Sequence, residues 1–233
     1  MASTLATRRD FLAKGTLLTA GAVAAPAFVP ALAQEKKGEE VEVSPTEDLM
    51  REHGLLNRVL LIYEEAGRRL HSNTAFDPKV LASAAGIIRQ FIEQYHEKLE
   101  EDYLFPRLEK AGKLVDLVKV LRAQHAAGRV VTGRIEQLAT ASTLKDDKAR
   151  QQLDSQLHEF VRMYRPHEAR EDTILFPEFH WIISKTEFDA LGDDFEKREH
   201  QLFGEEGFEG QVQKVGELEK ALGIYDLTQF TPK

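Results

Sequence analysis

Residues 96–106 read HEKLEEDYLFP and residues 167–177 read HEAREDTILFP, with His, Glu, Glu, Leu, Phe and Pro repeated at an offset of 71. Each string sets a histidine four positions before a glutamate, His96 with Glu100 and His167 with Glu171. Side chains four apart project together from one face of a helix, so each pair can grip a single ion. Two more histidines, His53 and His125, precede the paired ones by 43 and 42 residues. Four imidazoles and two carboxylates brought to one point suit two metal ions. The chain has no cysteine, so any metal must be held by nitrogen and oxygen, which favours iron, manganese or zinc.

The elements that must carry these residues are helical. Leu49, His53, Leu56, Leu60, Tyr63, Gly67 and Leu70 advance by threes and fours, as do Leu81, Ala85, Ile88, Ile92, His96, Leu99 and Tyr103. Leu114, Leu117, Leu121, His125, Gly128, Thr132, Ile135 and Leu138 make a third stripe, and Leu153, Leu157, Phe160, Tyr164, His167, Glu171 and Ile174 a fourth. Asp77-Pro78 predicts the start of the second helix and Pro106 its end. Pro166, one residue before His167, predicts a kink or bulge in the fourth. Short connections make the fold all-α, an up-and-down antiparallel four-helix bundle over 46–181, with additional C-terminal helices over 182–233 broken near Gly204 to Gly210. One histidine on an apolar face is usually a satisfied core residue; one on each of four faces, two with a glutamate at i+4, points to ligands. Buried without a cation, Glu100 and Glu171 would be strongly unfavourable.

Composition narrows the partners. With 42% hydrophobic and 30% charged residues and a net charge of -8, the 233-residue chain is globular and shows no electrostatic footprint for nucleic acid. Thr7-Arg8-Arg9-Asp10-Phe11-Leu12 resembles the twin-arginine export motif, followed by a mildly apolar run to Val29 and a small-x-small site at Ala31-Leu32-Ala33. Residues 1–33 are therefore expected to be a signal peptide read by the twin-arginine export machinery. Cleavage would leave a periplasmic protein with no stable membrane insertion, opening with a flexible linker over 34–45. Export of a folded chain by that route hints at a cofactor inserted beforehand.

From Pro45 to Trp181 the chain resembles the hemerythrin-like, or HHE cation-binding, domains, through the adjacent His-Glu, the second Glu and the Leu-Phe-Pro close in both strings. The resemblance implies a four-helix bundle around two non-haem iron ions, bridged by two carboxylates and an oxo or hydroxo group. By position, His53, His96, His125 and His167 would be terminal ligands, with Glu100 and Glu171 bridging. Oxygen-carrying hemerythrins have a fifth histidine one turn after the third-helix ligand; this chain has Arg129 there, which argues against simple reversible oxygen carriage. Glu97 and Glu168, next to ligand histidines, are candidates to fill or tune that place, or else are solvated flank acids. Tyr95 and Tyr164 are candidate hydrogen-bond donors. The implied small ligand is oxygen, nitric oxide or peroxide, which is bound, consumed by an enzyme at the same pair, or replaced by a role in iron storage. A ferritin-like Glu-x-x-His pattern is met only by Glu93 and His96. His71, His158, His180 and His200 are expected at the surface or at helix C-termini.

Overall fold

The computed structural model describes residues 43–232, so the twin-arginine motif, the cleavage site and most of the linker lie outside the described residues. Helix α1, Pro45–Ser72, opens on a capping box: the Ser44 hydroxyl accepts from the Glu47 N–H and the Glu47 carboxylate from the Ser44 N–H. It stops at Asn73, whose left-handed φ of 59° closes the last turn. Helix α2 spans 79–110, and the Asp77 carboxylate caps it by accepting from the Lys79 N–H. Helix α3 is Val115–Leu138, and α4 spans 147–182. Two further helices, α5 at Lys185–Phe203 and α6 at Gly207–Leu222, follow. No strand occurs among the described residues, and none of their helices is long and apolar enough to cross a membrane.

The first four helices form the antiparallel bundle, α1 packing along α4 and α3 along α4 and α2, around a core that includes Leu56, Leu60, Ile88, Ile92, Leu121 and Phe160. Helix α6 lies against α1 and α2: Arg58 grips Glu219 through two nitrogens, Arg69 donates to the Leu222 carbonyl, and Arg51 sits 4.8 Å over the Phe208 ring. Helix α5 is fastened by buried Glu199, which accepts from the Tyr95 hydroxyl at 3.2 Å and the Phe208 N–H at 2.8 Å.

Two expectations about the prolines are corrected. Helix α2 does not end near Pro106 but runs on to Lys110, and α4 runs through Pro177 to Ile182. Nor does the bulge fall at Pro166, where the α-helical pattern is unbroken from Asp147 to Arg170; it falls at Glu171–Leu175. In both strings a π-helical turn precedes Leu-Phe-Pro, with the Phe105 N–H bonded to the Glu100 carbonyl and the Phe176 N–H to the Glu171 carbonyl, five residues back. A proline cannot accept the standard i−4 pattern, since it lacks the N–H and its ring meets that carbonyl. The widened turn accommodates the ring and lets the helix continue.

Candidate metal centre

The bulges decide which side chains share the inner face. In an uninterrupted helix the position after His96 and Glu100 on one face is residue 104; one extra residue in the turn brings Phe105 there instead, and likewise Phe176 after His167 and Glu171. Both rings are buried and lie flat on the lone histidine of the other hairpin, Phe176 on His53 and Phe105 on His125, each with ring centres 5.6 Å apart. The repeated phenylalanine thus lids each imidazole.

All six residues singled out in the sequence meet in the middle of the bundle, each at most 4% exposed. His53, His96 and Glu100 form one group whose ligand atoms lie within 4.8 Å of one another, and His125, His167 and Glu171 form another. The Nε2 atoms of His53 and His96 are 3.0 Å apart, those of His125 and His167 3.1 Å. Glu100 spans the two pairs, Oε1 lying 3.8 Å from His96 Nε2 and Oε2 3.5 Å from His125 Nε2. Glu171 does the same, with Oε2 3.1 Å from His167 and 3.4 Å from His53, and Oε1 4.0 Å from His125.

Each ring is aimed by a bond on its far side. His53 Nδ1 lies 2.7 Å from Asp172, His96 Nδ1 2.7 Å from Glu52, His125 Nδ1 3.1 Å from Glu101 and His167 Nδ1 2.9 Å from the Gln124 amide oxygen. With Nδ1 donating to these acceptors, each Nε2 faces the centre of the bundle, the orientation a metal requires. The four partners repeat as the histidines do. Glu52 and Gln124 each precede a lone histidine and serve the paired histidine of their own hairpin; Glu101 and Asp172 each follow a spanning glutamate and serve the lone histidine of the other. Sequence reading gave no task to Glu101, Asp172, Glu52 or Gln124. The signal was there: a polar side chain at the same step from a candidate ligand in both halves.

The donor set fits a cation. All four oxygens of Glu100 and Glu171 are buried and accept no hydrogen bond. Burial, then the neighbouring Glu171 charge, drives the Glu100 carboxyl well above the usual carboxylate range. Burial lowers the proton affinity of His53, but its bond to Asp172 and the adjacent Glu171 carboxylate outweigh that and push its pKa up to about 10, while burial and the His53 charge hold His96 well below the imidazole range. Inward-facing Nε2 atoms and carboxylate oxygens without hydrogen bonds call for positive charge at their centre, which bound cations would supply.

The flanking acids are buried rather than solvated and stand outside the two groups above; Glu97 forms a further group with Glu101 and His125 whose ligand atoms lie within 4.8 Å of one another. Glu97 is 1% exposed; its Oε1 accepts from the Tyr164 hydroxyl at 2.7 Å and its Oε2 from Arg129 at 2.7 Å. Burial pushes its pKa up to about 8 and that of buried Glu168 to about 7. Arg129, at the place where a fifth histidine would stand, also donates to Glu101. Tyr95 faces away, donating to Glu199. Glu93 is paired with Arg89 rather than turned toward the histidines, so the ferritin-like spacing is not used. His71, His158 and His180 are exposed and His200 is half-buried near the end of α5.

Residues 44–179 match the Hemerythrin HHE cation binding domain. The chain belongs to this family. Among known proteins, uncharacterized proteins of Mycobacterium tuberculosis and Mycobacterium bovis are each 51% identical over 194 residues, covering 83% of this chain and 76% of theirs. No solved structure gives a significant match. Within the HHE domain the candidate ligands are drawn from all four bundle helices, while α5 and α6 lie wholly beyond the matched region.

Proposed function

We propose that this HHE protein is an exported, periplasmic di-iron protein that takes up a small diatomic ligand, oxygen or nitric oxide. The observation that carries the reading is the pair of buried carboxylates without hydrogen bonds, Glu100 and Glu171, each reaching histidines of both groups. His53 and His96 would hold one iron and His125 and His167 the other, with Glu100 and Glu171 spanning both. Such a pair supplies electrons and an open position for a diatomic molecule. The chain's own part is to fix the Nε2 atoms through Asp172, Glu52, Glu101 and Gln124, to cover His53 and His125 with Phe176 and Phe105, and to keep the bundle interior dry. Arg8-Arg9 and the apolar run behind them support export by the twin-arginine machinery.

A second reading is an enzyme consuming peroxide, nitric oxide or oxygen at the same pair. Arg129 favours it: with no fifth histidine, the His125/His167 side has no more protein ligands than the other. Metal analysis of the purified protein, with absorption spectra taken reduced without air and again after oxygen is admitted, separates the two. Two irons per chain and a reversible absorption change support uptake. Two irons with fast irreversible oxidation support turnover, and zinc or no metal overturns both.

A further inference from the structure

The near-twofold symmetry of the centre is broken in one respect, the charge behind the histidines. Behind His53 and His96 stand two carboxylates, Asp172 and Glu52. Behind His167 the equivalent of Glu52 is Gln124, a neutral amide. Behind His125 the equivalent of Asp172 is Glu101, but its charge is offset by Lys98, bonded to it, and by Arg129, 2.7 Å away, which it shares with Glu97. Asp172 is paired with no Lys or Arg among the described residues. A carboxylate accepting from Nδ1–H makes the imidazole a stronger donor through Nε2, whereas an amide or a cation-paired carboxylate does so less. The charges also act directly on a bound cation, because the cluster is buried and poorly screened.

Resting on the two-metal reading above, we propose that the two positions are unequal by construction: the His53/His96 position binds its ion first and tightly, and the His125/His167 position fills second and releases its ion first. Gln124 and Arg129 are positioning residues for that difference, acting through His167 and through Glu101 on His125. The first ion, once held by Glu100 and Glu171, already neutralises the carboxylates that the second must share, which widens the gap.

The test is a titration of the full chain, stripped of metal by a chelator, with Co(II) alone, followed by visible absorption and by heat. Uptake is expected in two steps, one equivalent each, with dissociation constants differing by about tenfold or more, the size of change that outer partners of ligand histidines produce. Gln124→Glu tightens the second step and leaves the first in place; Glu52→Gln, which keeps the shape of a fully buried side chain, weakens the first. Both variants narrow the gap from opposite directions, an outcome that a merely structural disturbance does not give. Two equivalents bound in a single step, or a gap unmoved by Gln124→Glu, overturns the inference while leaving the two-metal reading intact. Fewer than two equivalents in the unaltered chain overturns that reading instead.

Discussion

Glycine 128 shows how tightly the outer bonds of the centre are specified. A Cβ at this position on α3 would stand 2.1 Å from the Tyr164 hydroxyl oxygen and 2.9 Å from the carbon bearing it. Only a glycine lets the phenol pass α3 to reach Glu97. Gly128→Ala is therefore expected to destabilise the protein by about 1–3 kcal/mol in denaturant unfolding, the usual cost of overpacking. Adding Tyr164→Phe removes the closest clashing atom, so the double variant should regain part of the loss, and additive losses would rule out the clash as the cause. At the same scale, His167→Ala and Glu100→Ala should each take metal out of the purified protein. His200→Ala should leave metal content unchanged, and equal loss in all three would show that the ligand set is wrong.

At the scale of the element, the π-helical turns do what a regular helix cannot. They put three side chains of one string, His96, Glu100 and Phe105, or His167, Glu171 and Phe176, on a single inner face. Pro106 and Pro177 hold the turns open by denying the helix the N–H that would restore the α pattern. Replacing Pro177 by alanine restores that donor. The expected result is unchanged helix content by circular dichroism with metal affinity weakened by about tenfold, as Phe176 turns off His53. Affinity equal to that of the unaltered chain would mean the turn is held by packing alone. Helix α6 depends in the same way on one buried carboxylate. Glu199→Ala leaves the Tyr95 hydroxyl and the Phe208 N–H to find other partners, at a cost of about 2 kcal/mol, with hydrogen exchange rising in α6 before it rises in the bundle.

For the molecule as a whole, the centre is both a binding site and the keystone of the bundle. Four helices converge on buried groups that are unfavourable together until a cation joins them, so binding free energy enters folding free energy. Stripping the metal should lower the midpoint of thermal unfolding by several degrees, and restoring it should raise the midpoint in step with occupancy. Because His53 must give up its proton to bind, and its pKa is pushed up to about 10, affinity should fall steadily as pH falls below about 10, and chelators should strip the protein faster in mild acid. A melting midpoint indifferent to metal would contradict the picture of a charge-stressed core.

Much of this was legible in the chain itself. The repeated His-x-x-x-Glu spacing, the helical periodicity and the absence of cysteine determined an all-α bundle, six candidate ligands and a nitrogen and oxygen donor set, because a period of 3.6 converts spacing directly into a shared face. What the tertiary structure decided lies across helices, where sequence separation carries no information. The partners behind the four histidines, the reach of each glutamate to both groups, and the binding of Arg129 to Glu97 and Glu101 join residues 24 to 119 positions apart. The prolines misled for a related reason. Locally a proline ends or kinks a helix, but here the surrounding bundle supports a wider turn, and packing on both sides keeps the helix going where its own backbone would have stopped.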